Sequence, residues 1–325
     1  MSDLHDYYSA LEEHLVPLRP VLDDPRVTDV CIQEPHVMHV ERVETGWERL
    51  EPAWLDEMWC AGLASLCANY SDQGVDSQSP LLSASLPSGE RIQFVLPPAC
   101  KPHIAISIRC PSRVVWSLEE LAERGMFDRV QLLPEERIAG RDEVLALLID
   151  AIDRKLATLF SGKTGSGKTA ITKAMVRRIR SDVRLLCIEN VWELDTRHLP
   201  LSTRLFYSAG GQGVARVKPS DLVTATKRMR PDGIVYAELL TGEDVFEFAL
   251  SVNSGHSYAF ASLHANSCEL IPYALAQMLL NTEAGRNMTL EAAAMFVMRN
   301  VAMTIQCDRD GVGRRRVTEI WRRAA

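Results

Sequence analysis

A chain of 325 residues with 46 % hydrophobic and 24 % charged side chains is long enough for two domains and too apolar to stay disordered. Aromatics at 6 % and a net charge of −7 argue against a stacking track or a bulk electrostatic grip on nucleic acid. The acidity sits in the first third, where residues 1–113 hold 17 of the 43 acidic but only 8 of the 36 basic side chains.

In chain order, Val27–Ile32 and Val37–Val43 read as strands split by the turn Glu34-Pro35. Trp54–Ala68 has helical spacing, with Leu55, Met58, Trp59, Gly62 and Leu66 on one face. Leu81-Leu82, the turn Pro87-Ser88-Gly89 and the strands Arg91–Leu96 and Ile104–Ile108 complete a small antiparallel sheet. Residues 1–112 are therefore expected to be an α+β domain. Residues 113–141 are densely charged and aperiodic apart from a short helix, Leu118–Arg124, capped by Ser117 and stopped by Gly125; they are expected to be a linker. From 142 to 325, Val144, Leu147, Leu148, Ala151 and Ile152 mark a helix face, and strands at Leu156–Phe160, Val183–Ile188 and Ile234–Ala237 alternate with helices at Ala170–Arg180 and Leu222–Met229. That alternation predicts an α/β domain with a mostly parallel sheet, closed by a hairpin from Val301 to Trp321.

The eight cysteines include no C-x-x-C pair, as expected of reduced, packed thiols. No secretory signal is read at the N-terminus, and the longest stretch without Asp, Glu, Lys or Arg, Phe248–Cys268, carries too many polar groups for a bilayer core.

Gly162-Lys163-Thr164-Gly165-Ser166-Gly167-Lys168-Thr169 matches the phosphate-loop pattern in full, directly after an apolar strand and opening a helix. Glycines let successive backbone N–H groups face a phosphate at a helix N-terminus. Lys168 is expected to bridge the β- and γ-phosphates, Thr169 to ligate Mg²⁺, and Gly162 through Ala170 to line the nucleotide. Three later segments supply chemistry. Arg228–Glu238 ends an apolar strand in a carboxylate; Ile188-Glu189-Asn190-Val191-Trp192-Glu193 places two candidate bases after another strand; Gly255-His256 and His264–Ser267 form a histidine-bearing polar segment.

These boxes, with Gly89–Gln93, Pro97-Pro98 and Ile106–Ser112 before them, resemble the hexameric traffic ATPases of type IV secretion and conjugation systems, a branch of the secretion ATPases that also serve type II secretion and type IV pili. The resemblance implies a RecA-like second domain using ATP and Mg²⁺. It implies catalytic roles for Lys168, for Glu238 near the metal, for Glu193 as candidate base and for His264 as γ-phosphate sensor. Arg91 and Arg109 match first-domain arginines that reach back to the nucleotide. It further implies a homo-hexamer at the cytoplasmic face of the inner membrane, partnered by a coupling protein, another ATPase and channel proteins; the acidic first third and sparse aromatics predict no stable DNA binding. Departures stand at Ala170, Asn190, Leu240 and Tyr258, where the family has Thr, Asp, Arg and Gly; Arg228 or Arg230 is a candidate to replace the cation missing at Leu240. The rival readings are a weakly hydrolysing, nucleotide-gated scaffold and a RecA-like nucleic-acid motor.

Overall fold

The structure is a computed structural model that describes residues 2–42, 45–110, 115–189, 193–207, 217–253, 258–311 and 313–323. Val43, Pro111, Ser112, Asn190, Val191, Trp192, Gly255 and His256, all named in the expectations above, lie outside the described residues. The chain divides into two units, Met1–Val114 with Val191–Glu193 and Ser208–Arg216, and Val115–Asn190 with Leu194–Tyr207 and Val217–Ala325.

The first unit contains α1 (Ser2–Leu15), α2 (Arg19–Leu22), β1 (Val27–Glu34), β2 (Val37–Arg42), β3 (Gly46–Leu50), α3 (Glu57–Tyr70), β4 (Leu81–Ser85), β5 (Arg91–Val95) and β6 (Ala105–Arg109). Its six strands pair antiparallel throughout in the order β3-β2-β1-β6-β5-β4. One face of the sheet is apolar, because alternate residues such as Val30, Ile32, Ile92, Phe94, Ile106 and Ile108 are buried with Leu11 and Leu15 of α1 and Leu63 of α3. Asp56 caps α3 by accepting from the Trp59 amide at 2.7 Å. The helix buries Cys60, Leu63, Ala64 and Cys67, whereas Met58, expected on the apolar face, is 82 % exposed. The missing side chain at Gly62 lets α1 come close. The His14 ring stacks on Trp59 at 5.1 Å, and a methyl added to Gly62 would lie 2.9 Å from it.

The second unit contains α4 (Leu118–Glu123), β7 (Val130–Leu133), β8 (Arg137–Ala139), α5 (Arg141–Asp153), β9 (Thr158–Gly162), α6 (Lys168–Arg177), β10 (Leu185–Glu189), β11 (Thr203–Phe206), α7 (Pro219–Thr226), β12 (Gly233–Tyr236), α8 (Gly242–Asn253), β13 (Phe260–Leu263), α9 (Ile271–Leu280), α10 (Leu290–Met298), β14 (Met303–Arg309) and β15 (Arg315–Arg322). Its nine strands run in the order β11-β10-β12-β13-β9-β14-β15-β7-β8. From β11 to β14 all neighbours are parallel; β15 turns back on β14 as the expected hairpin. β9, β10 and β12 are buried on both faces, as a parallel sheet between helices requires. Phe160, Cys187, Val235 and Ile305 pack on one side with α5 and α6, while Leu159, Ile188, Ile234 and Ala261 pack on the other with α8, α9 and α10.

The segment 113–141, expected as a linker, is built into this unit from Val115 onward. β7 pairs parallel with β15, and β8 antiparallel with β7, extending the sheet by two strands. Val130 and Leu132 are buried while Gln131 is exposed, so a half-buried edge explains the charge density there. Ser117 caps α4 in a capping box with Glu120, as the sequence suggested for the cap.

Candidate nucleotide site

β9 delivers the chain into the phosphate loop and α6 takes it out. Gly162 has φ +145°, and a methyl there would fall 2.1 Å from the Cys307 carbonyl oxygen, so no side chain is tolerated where β9 meets β14. Gly167, at φ +106°, is the residue that opens α6. The Ser166 amide donates to the Lys163 carbonyl at 3.2 Å, which draws the loop into a tight arc. Lys168 is buried, and its ammonium donates to the Gly162 carbonyl, to the Lys163 carbonyl at 3.3 Å and to His264 Nδ1 at 3.3 Å. Lys163, Thr164 and Thr169 are exposed, Ser166 is buried, and Gly165 and Ala170 are partly exposed. Burial pushes the Cys307 thiol up to about 12, so it stays protonated and is no nucleophile beside the loop.

Glu238 and His264 meet this lysine. The Ala237 amide donates to the Ile188 carbonyl at 2.9 Å and the Leu239 amide to the Ser262 carbonyl at 2.8 Å, which clamps Glu238 from both sides at the end of β12. His264 follows β13, and the next amide, Ala265, donates to Ser161 Oγ at 3.0 Å while Gln306 Nε2 reaches the Ala265 carbonyl at 3.1 Å. The result is a relay across three strands: Lys168 Nζ to His264 Nδ1, then His264 Nε2 to Glu238 Oε1 at 2.7 Å. An ammonium has no lone pair to offer, so Nδ1 is the acceptor, and the imidazole proton sits on Nε2 against the carboxylate. Ser161, Ser262 and Gln306 were not singled out in the sequence. Their role is to bind backbone at the ends of other strands of the sheet, and no local pattern carries it.

The two carboxylates of the acidic box differ. Glu189 has no exposed surface: Oε1 accepts from the Leu194 amide at 2.8 Å and Oε2 from Arg204 Nε at 2.8 Å. Both oxygens are occupied in holding β11 and the following segment to β10, so Glu189 is a structural anion. Glu193 is partly exposed and belongs to the first unit. Arg91 and Arg109 also lie in the first unit, where they stand directly opposite each other on β5 and β6, on the face away from Ile92 and Ile108.

Two departures acquire physical content. Tyr258, where the resembled family has glycine, sits at φ +51°, a left-handed backbone that favours glycine. Its ring is buried edge-on to Phe260, 6.4 Å away, and that packing offsets the local strain. Leu240 is 47 % exposed, and its amide and that of Thr241 donate to Asp244 Oδ2 at 3.2 and 2.9 Å, fastening the start of α8. Arg228 and Arg230 precede β12, at the opposite edge of the parallel sheet from Glu238 and the loop, so within one chain they do not replace the missing cation.

A family model for type II/IV secretion system proteins matches residues 12–324. The type IV secretion system protein VirB11 of Brucella suis biovar 1 is 36 % identical over 323 residues, 95 % of this chain and 89 % of that one. The type IV secretion system protein PtlH of Bordetella pertussis is 33 % identical over 334 residues, covering 98 % and 96 %. Among solved structures, the VirB11 ATPase from the Brucella suis type IV secretion system, in complex with sulphate, is 34 % identical with a TM-score of 0.50 and covers 99 % of this chain and 97 % of its own. The pilus retraction motor PilT with bound ADP, at 15 % identity, has a TM-score of 0.62 over 96 % of this chain and 83 % of its own, a likeness of fold alone.

Proposed function

Because the chain belongs to the type II/IV secretion system protein family, we propose that it is a secretion-system ATPase whose six-membered ring uses ATP hydrolysis to drive assembly of, or transfer through, a type IV secretion apparatus. The observation that carries the site assignment is the chain of contacts from Lys168 through His264 to Glu238, beside a complete phosphate loop.

The loop and the N-terminus of α6 bind the triphosphate through backbone N–H groups, and Lys168 turns from its loop carbonyls to the β- and γ-phosphates. A divalent cation fits the donors present. Thr169 offers an exposed hydroxyl at the start of α6, and Glu238 a carboxylate at the end of β12. Mg²⁺ takes few protein ligands beside phosphates and water, and these two donors fit that demand. When bound, the ion neutralises charge on the phosphate oxygens. His264 reads the γ-phosphate by exchanging its Lys168 contact for one with the phosphate, and Glu238 orients the ring. Glu193 is the candidate base, since the Glu189 carboxylate is spent on Leu194 and Arg204. Arg91 and Arg109 are the arginines to which the family resemblance gives the role of neutralising phosphate charge.

The proposed seat is the cytoplasmic face of the inner membrane, beside a coupling protein, another ATPase and channel proteins. No described helix is long and apolar enough to cross a membrane.

Light scattering on the full chain with ATP and Mg²⁺ is expected to give a mass about six times 36.3 kDa; a single chain under every nucleotide condition would dismiss the ring. His264→Ala is expected to lower turnover by about 10²-fold while ADP affinity stays constant, since the side chain answers to the γ-phosphate. Unchanged phosphate release by this variant removes His264 from the mechanism.

A further inference from the structure

We infer that Arg309 and Arg315, paired across the final hairpin, form a guanidinium clamp for the α- and β-phosphate end of the nucleotide, on the flank of the loop opposite Glu238 and His264. This rests on the loop's holding a nucleotide, as proposed above.

Sheet order sets the two flanks. β9 lies between β13 and β14, with β12 beyond β13. His264 follows β13 and Glu238 follows β12, so the γ-phosphate machinery is all on one side. β14 lies on the other side, its Cys307 paired with Gly162, and two residues further on Arg309 lies beside the loop. Arg309 Nε donates to the Gly165 carbonyl at 3.0 Å, and a methyl on Gly165 would sit 2.6 Å from the guanidinium Nη2. Arg315 lays its stem against the next glycine of the motif, with Cβ 3.3 Å and Cδ 3.6 Å from where a Gly167 methyl would be. The two arginines therefore flank the two glycines that shape the phosphate cradle.

They also face each other. Arg309 and Arg315 are directly opposite partners in the antiparallel ladder, so both stems leave the hairpin beside the same stretch of loop. Their neighbours point elsewhere, since Arg314 Nε and Arg316 Nε both bind Asp310 Oδ2, at 3.1 and 2.9 Å. Of the basic run Arg314-Arg315-Arg316, the middle residue is the one turned to the loop. A guanidinium fork suits phosphate oxygens, and a pair beside the loop supplies positive charge that Leu240 does not.

The test is equilibrium titration of the full chain with fluorescent ADP and fluorescent ATP. Arg309→Gln and Arg315→Gln are each expected to raise Kd roughly tenfold, by the same factor for both nucleotides, and to flatten its salt dependence. Arg309→Lys is expected to recover part of the loss, because charge returns without the fork. Lys168→Ala runs alongside. If it weakens ATP binding while both glutamine variants bind like the unmutated chain, the clamp is wrong and the loop assignment stands. If Lys168→Ala binds ATP as tightly as the unmutated chain, the loop assignment itself fails. A loss confined to ATP overturns the placement at the α- and β-phosphates. Weaker binding that comes with a lower melting temperature and an unaltered salt slope marks the pair as mere loop support and also overturns the clamp.

Discussion

Replacing Lys168 with alanine is expected to lower ATP turnover by about 10²–10³-fold, measured as phosphate release at saturating ATP. Among the described residues its ammonium is the cation that touches the loop carbonyls and His264 together, so its loss removes charge at the β- and γ-phosphates and the link to Glu238. Stability should change far less. The acceptors left behind are the carbonyl of buried Gly162 and that of exposed Lys163, a loss of about 1–2 kcal/mol. A variant that folds and turns over ATP at the unmutated rate would falsify the assignment of the site.

Arg204→Ala is expected to do the reverse, destabilising the second unit by about 3–5 kcal/mol through the uncompensated charge left on Glu189. Glu189 is fully buried and Arg204 has a side-chain exposure of 12 %, so solvent does not take over the guanidinium's place. The melting temperature should fall by about 10 °C, taking a few degrees per kcal/mol for a unit of this size. Glu193→Gln, by contrast, should slow turnover with little effect on melting. A large loss of stability in Glu193→Gln, or none in Arg204→Ala, means that the two carboxylates have been assigned the wrong way round.

The same contrast explains what was legible in advance. Glu189 and Glu193 look alike as letters, each an acid shortly after an apolar strand. Only the arrival of Arg204, 15 residues on, separates the anchor from the candidate base. β7 and β8 were hidden for a related reason: a four-residue strand and a three-residue strand with exposed Gln131, Arg137 and Ile138 show little periodicity. Their stability comes from pairing with β15 near the other end of the second unit. Helices α9 and α10 do not stand out in the sequence either. α9 and α10 carry apolar residues nearly all round and so give no clear amphipathic stripe.

The amino-acid order alone determined the phosphate loop, because its function needs only backbone freedom at Gly162, Gly165 and Gly167 and a lysine at the head of the following helix. It likewise determined the parallel character of the second sheet, since buried strands alternating with helices leave few other arrangements. Which carboxylate is structural, which arginines of the final hairpin turn to the loop, and which histidine meets Lys168 were decided by the tertiary structure. Those contacts join residues 15, 96 and 144 positions apart, and only the order of strands in the sheet brings them within reach.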